Sequence, residues 1–164
     1  MSDFNLAIPH VLQHEGGFVD HPNDPGGATQ FGISLRFLQQ STANITQTDI
    51  RHLSVADAIK IYEREWWQRY HYAAIDSQQL ATKVLDLAIN MGSHQAHICL
   101  QRAVRATTGN YLTEDGVLGC QTLNSLNTAN SDVLLAAFKS EAAGFYRNLR
   151  QPQFEKGWLM RAYD

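Results

Sequence analysis

His14-Glu15-Gly16-Gly17-Phe18-Val19-Asp20-His21-Pro22-Asn23-Asp24-Pro25-Gly26-Gly27-Ala28-Thr29-Gln30-Phe31-Gly32 is the stretch on which the reading of this chain turns. To its left, Phe4, Ala7, Ile8, Val11 and Leu12 recur at helical spacing, the pattern of an amphipathic helix. Ser2 or Asp3 can cap its start. Gly16-Gly17 is expected to end it, because glycine takes the left-handed conformation cheaply. Residues 16–32 hold five of the eleven glycines and two of the four prolines. That is turn and loop chemistry with room for a short hairpin, and a long loop in a compact domain usually serves function.

The chain then returns to helices. Ser54-Val55-Ala56-Asp57 resembles a capping box with Asp in place of Glu. Val55, Ala58, Ile59, Tyr62 and Trp66 form one apolar stripe, and Leu80, Val84, Leu87, Ala88 and Met91 form a second, stopped by Gly92. Ala96, Cys99, Leu100, Ala103 and Val104 form a third, stopped near Gly109. A short helix is expected after Gly119. A long one, marked by Val133, Leu134, Ala137, Phe138, Phe145 and Leu149, should end before Pro152. The fold class is therefore mainly α, with a small irregular or β-hairpin lobe near the N-terminus.

Composition narrows the function classes. The chain has 164 residues, enough for one compact domain. Its formal net charge is −3, with no block of Lys and Arg, so nucleic acid is not an expected partner. The longest apolar run, Val133-Leu134-Leu135-Ala136-Ala137-Phe138, is far short of the roughly 20 residues of a membrane span. Met1-Ser2-Asp3-Phe4-Asn5 lacks a basic n-region and a long apolar run. No signal peptide is read there, and action outside the cytoplasm would need another exit route. Cys99 and Cys120 do not make a disulfide framework.

The chemistry centres on Glu15. The stripe 4, 8, 11, 15 brings it to the buried face at the end of its helix. Desolvation and the negative helix end both disfavour its charged form there, which suits a general acid working near neutrality. A partly exposed helix-end glutamate that only packs its stem is the competing reading. The loop adds Asp20, Asp24 and Thr29. Glycosidic cleavage needs an acid on one side and a carboxylate or positioned water on the other. Asn23-Asp24-Pro25-Gly26 is also a good turn sequence, and Thr29 can be simply a strand residue.

His14 to Val19 followed by Pro22 to Ile33 resembles the signature of glycoside hydrolase family 108, phage-lysozyme-like N-acetylmuramidases. The resemblance implies that Glu15, before the paired glycines, is catalytic. Asp20-His21 departs from the family's usual Asn-Asp. The spacing is also similar to the catalytic trio of many phage endolysins, in which Glu, Asp and Thr follow at set intervals. Asp24 meets the first interval, and Thr29 falls one residue short of the second. The later half resembles the peptidoglycan-domain segment that accompanies this family, on Asp86-Leu87-Ala88-Ile89-Asn90-Met91-Gly92, Leu100-Gln101, Asp115-Gly116-Val117-Leu118-Gly119-Cys120-Gln121-Thr122, and Phe154 with Gly157-Trp158-Leu159-Met160-Arg161. The resemblance implies a single lysozyme-like domain over 1–164, with a catalytic segment 1–75 and a helical segment 76–164 forming the far wall of the cleft.

Asp20, Gln30, Trp67 and Asn90 are the substrate-binding candidates. Trp66 continues an apolar stripe and reads as core. Trp67 reads equally as core or as a sugar platform, and Asn90 as a partner for an N-acetyl group or as a helix cap. His10 and His14 lie one helical turn apart, but HExxH order is missing and no third ligand is in view. They and His94/His97 read as non-ligands, so no metal and no cofactor is expected.

The resulting expectation is a muramidase that cleaves the β-1,4 bond between N-acetylmuramic acid and N-acetylglucosamine. Glu15 donates the proton, while Asp24, with or without Thr29, holds water or steadies the oxocarbenium-like state. The alternatives are a lytic transglycosylase, a non-catalytic peptidoglycan-binding module and, more distantly, a metal-dependent peptidoglycan hydrolase. The expected partner is bacterial peptidoglycan, met by a monomer in the periplasm or wall. Delivery would be by a holin, as for an endolysin, or by a secretion system. An injected effector would imply a dedicated immunity protein.

Overall fold

The computed structural model describes residues 1–18, 28–39 and 44–164. Helix α1 spans Phe4–His14, with Asp3 as the N-cap accepting from the Asn5 amide at 2.8 Å. Strands β1 (Thr29–Gln30) and β2 (Ile33–Ser34) pair antiparallel, Thr29 opposite Ser34 and Gln30 opposite Ile33. The short helices α2 (Leu35–Gln39) and α3 (Gln47–Arg51) complete this lobe. Helix α4 (Val55–Tyr62) starts on Ser54, whose hydroxyl accepts from the Asp57 amide. The remaining helices are α5 (Gln78–Met91), α6 (Ser93–Thr108), α7 (Cys120–Thr128), α8 (Ser131–Asn148) and α9 (Pro152–Tyr163). This is the mainly α, lysozyme-like fold expected, with its small hairpin near the N-terminus.

Helix α5 is the axis of the molecule. Leu80, Ala81, Val84, Leu85, Leu87 and Ala88 are all buried on it, together with Lys83 and Asp86, so most of its circumference faces the interior, the sign of a core helix. It packs on α1 and α6, α6 packs on α8, and α8 packs on α9. Gly92 stops α5 and Gly109 caps α6, both at positive φ, as their glycines predicted.

Three local features depart from the sequence reading. Among the described residues, Gly16 and Gly17 are not at positive φ. Helix α1 ends instead because Glu15 turns to extended backbone at φ −90°, ψ 125°. The stripe from α4 does not continue as α-helix, and Glu63–Gln68 widens to a π-helix. That widening lets two adjacent indoles turn inward. Trp66 stacks on Phe37 at 4.6 Å, and Trp67 meets Phe4 at 5.7 Å and Tyr72 at 6.1 Å. The terminal segment 152–163, in which no apolar stripe was read, is α9.

Candidate active site

Glu15 is held at the junction of four elements. Its carboxyl side chain is only 8% exposed, and Arg161 Nη2 of α9 donates to its Oε1 at 2.6 Å. On its other oxygen lies the hairpin turn. A β-carbon added to Gly32 would fall 2.0 Å from Glu15 Oε2, so a side chain here would have to push the carboxyl aside. Phe31 and Gly32 both take positive φ, 51° and 70°, as a tight two-residue hairpin connection of the primed type requires. The Tyr62 hydroxyl, at the end of α4, donates to the Phe31 carbonyl and fixes that turn. Burial and, after it, the Glu15 charge push the Tyr62 phenol far above its usual range. Tyr62 therefore acts here as a neutral hydrogen-bond donor.

Arg161 is itself oriented from behind. Its Nε donates to Asp86 Oδ1 at 3.0 Å and its Nη2 to the Asp86 carbonyl at 3.2 Å. Asp86 Oδ2 accepts from Lys83 at 3.1 Å, and Lys83 also donates to the Arg161 carbonyl at 2.9 Å. Two acids and two bases thus form one buried chain, in which Asp86 answers one cation and Glu15, once ionised, the other. Burial pulls the Lys83 ammonium down, against the pull of Asp86. Arg161 is raised overall: burial lowers it, but the charges of Asp86 and Glu15 more than offset that. A guanidinium gripping two carboxylates uses its planar fork, which lysine could not reproduce.

Two concavities adjoin the residues that contact Glu15, whose own side chain lines neither. One, of about 300 Å³, is lined by Gly32, Phe37, Glu65, Trp66, Arg69 and Tyr70 among others. The other, of about 480 Å³, is lined by His14, Gly157, Met160, Arg161 and Asp164. Gly32 and Arg161, which touch Glu15 from opposite sides, each belong to one of them.

The other candidates fall out as follows. Thr29 and Gln30 form the first strand of the hairpin whose turn abuts Glu15. Gln30 Oε1 is buried without a hydrogen-bond partner among the described residues, a group still able to receive one. Asp20 and Asp24 lie outside the described residues. Trp67 is taken up by the core, 5% exposed with its ring against Phe4 and Tyr72, so it offers no open face to a sugar. The indole nearer the cleft is Trp66, which was read as core and is both buried and on the cavity wall. Asn90 caps no helix. Its carbonyl oxygen accepts from the Tyr146 hydroxyl at 2.5 Å, beside Ile89 on the cavity wall. Asp115-Gly116 is the turn expected, with Asp115 accepting from the Val117 amide. Cys99 is buried, Cys120 exposed, and both are free.

Sequence reasoning gave Arg161 no role, and it missed Gly32 and Tyr62. A signal was present in Lys83 and Asp86, three residues apart inside an apolar stripe. Such a pair is buried and needs further partners.

The description "Glycosyl hydrolase 108" matches residues 8–92, and "Predicted Peptidoglycan domain" matches residues 95–163. No curated protein matches the chain. The solved structure of SagA from Brucella abortus is similar to it at 30% identity and a TM-score of 0.84, over 98% of this chain and 89% of that one. The chain belongs to the glycosyl hydrolase 108 family and is a glycosidase directed at peptidoglycan.

Proposed function

We propose that the chain hydrolyses the β-1,4 bond between N-acetylmuramic acid and N-acetylglucosamine, with Glu15 as the proton donor. The observation that carries this reading is the setting of Glu15: a nearly buried carboxyl, held through Oε1 by Arg161, with the hairpin turn packed against Oε2 and a concavity on the far side of that turn residue. When the proton passes to the leaving oxygen, a negative charge is left on Glu15. Arg161 is already oriented to receive it, at no cost in reorganisation during the reaction. The buried Gln30 oxygen and the Asn90 amide are suited to the N–H and carbonyl of N-acetyl groups. Asp24, with or without Thr29, holds the attacking water, which implies inversion. The two family segments share one core, so the chain works as a single domain.

Glu15→Gln keeps the size of the side chain and removes the proton. It should lower lysis of purified wall at least ~10²-fold while leaving the circular dichroism spectrum unchanged. Mass spectrometry of the products separates the rival chemistry, since a hydrolase adds one water and a lytic transglycosylase leaves an anhydro end. Asp24→Asn should lower kcat with little change in KM. Proton NMR of the first product anomer tests inversion. A fully active Glu15→Gln variant would remove the basis of the proposal.

A further inference from the structure

Beside the Glu15 site, but sharing no side chain with its acid, lies a second cluster. His10 and His14 occupy successive turns of α1, their rings edge to face at 5.1 Å. Asp164, which follows α9, reaches them from the far end of the sequence. Its Oδ2 is 2.8 Å from His14 Nε2 and 3.8 Å from His10 Nε2. The second distance is too long for a hydrogen bond, and His10 Nε2 is buried with no hydrogen-bond partner among the described residues. One donor atom from each of the three residues lies within 4.8 Å of the others. The sequence showed the two histidines and lacked a third ligand; the fold supplies it from 150 positions away.

We propose that His10, His14 and Asp164 bind a divalent transition-metal ion of the zinc class, which clasps α9 to α1. Two imidazoles and a carboxylate are a donor set that suits zinc. On a tetrahedral ion at about 2.0–2.1 Å, two donors stand about 3.4 Å apart. The His14–Asp164 contact must open by roughly half an ångström, the His10–Asp164 gap must close by a similar amount, and the widest donor separation, up to 4.8 Å, must close by about 1.4 Å. The ion would also satisfy the stranded His10 nitrogen. Three protein ligands leave one position for water. Two cations oppose the ion: Lys83, tied to Asp86 and the Arg161 carbonyl, and Lys139, tied to the main-chain oxygens of Tyr163 and Asp164. They weaken the site without blocking it, because both ammonium groups are already held by oxygens. His14 adjoins Glu15, and Asp164 stands one helical turn beyond Arg161. The ion therefore pins both flanks of the Glu15–Arg161 pair and touches neither. Its role is mechanical, and the acid chemistry at Glu15 needs no metal.

The test uses the full chain, stripped with EDTA, dialysed into a non-coordinating buffer at about pH 7.5 and titrated calorimetrically with zinc chloride alone. The expected result is one ion per chain, with a Tm rise of at least about 4 °C when free zinc is about 100-fold above its dissociation constant. His10→Gln, His14→Gln and Asp164→Asn should each weaken binding at least ~10-fold, and His71→Gln, on an exposed residue elsewhere, should not. Wall lysis should be the same in EDTA as in zinc. Absence of binding, an undiminished affinity in the His10→Gln/His14→Gln double variant, or a Tm that falls with zinc overturns the site. Lysis lost in EDTA and restored by zinc overturns the mechanical role.

Discussion

The hairpin lobe and the helical half behind α5 are built by opposite means. In the lobe, strands of two residues and helices of five are too short to hold their own shape. Among the described residues they are held by a few buried side chains, Ala28, Ile33, Leu38 and Ile50, and by anchors such as the Tyr62 hydroxyl on the Phe31 carbonyl, Phe37 on Trp66, and Arg51 over the Phe18 ring at 4.6 Å. In the helical half, α5, α6 and α8 are 14 to 18 residues long and bury interlocking apolar faces. That half also carries the buried charges that orient Glu15. The candidate acid stands on the seam, aimed by the rigid side and covered by the adaptable one. Reacting groups held by a stiff scaffold, with a looser element to admit and enclose a polymer, is the division that positioning demands.

The comparison breaks most readily at Arg161. Arg161→Met removes the cation shared by Glu15 and Asp86, leaving buried carboxylates with only Lys83 to answer them. Breaking such a network from one side costs about 3–5 kcal/mol, a fall in Tm on the order of 10 °C for a chain this long. Adding Glu15→Gln should recover part of that loss, because it neutralises the carboxylate left unpaired while Lys83 still answers Asp86. Thermal unfolding of the single and double variants checks both. A single variant within about 1 kcal/mol of the parent would mean that packing alone stiffens this half.

The seam itself is tested at Gly32. Gly32→Ala puts a methyl group where Glu15 Oε2 lies and forces an L-residue to φ +70°. A shift of about 1 Å in a reacting group costs on the order of 10² in rate, so kcat should fall to that extent with the helical circular dichroism preserved. Activity within twofold of the parent would show that the hairpin does not fix the carboxyl.

Legibility followed the same division. The helical half was readable because its order is periodic: the stripes on α4, α5, α6 and α8 and the stops at Gly92 and Gly109 all lie in short windows of sequence. Glu15 was readable because it extends one of those stripes into a glycine-rich loop. What was not readable depends on distance. Arg161 reaches Glu15 across 146 positions and Asp164 reaches His14 across 150, and no local pattern encodes either. The π-helix at Glu63–Gln68 looks like ordinary helix in sequence, which is why Trp67 could pass for a sugar platform. The end of α1 misled for another reason. Paired glycines suggest a left-handed cap, but an extended Glu15 turns its own side chain inward.

A smaller effect should separate the two regions dynamically. Phe37→Ala removes the ring that stacks on Trp66 at 4.6 Å, an aromatic pair contributing about 0.5–1.5 kcal/mol beyond its buried area. Hydrogen exchange should quicken for amides in residues 28–39 while those in α5 and α6 keep their protection. Equal quickening in both would mean that the lobe and the helical half open as one unit.

The smallest effect concerns pH within the rigid half. His97 is buried on α6, with Nδ1 2.8 Å from the Gly116 carbonyl and Nε2 2.8 Å from the Tyr72 hydroxyl. A carbonyl only accepts, so in the neutral ring Nδ1 carries the proton and Tyr72 donates to Nε2. Burial is the main cause that holds His97 below its usual 6.5; the Gly116 bond pulls the other way, and His94 adds a small repulsion. In the unfolded chain the ring is free to protonate near 6.5. Between that value and the lower folded one, the unfolded state binds more protons, so stability rises with pH there. The contribution is complete above 6.5 and is lost as pH falls from 6.5 through the folded value. His10, also lowered chiefly by burial, adds to the same window. His97→Gln removes one of the two groups and should flatten, but not abolish, the loss of stability between about pH 6.5 and 5.5. Urea unfolding of parent and variant across that range reads the two slopes. Parallel slopes would mean that the helical half admits a proton to His97 without cost, and that its rigidity stops short of the Tyr72–His97–Gly116 contacts.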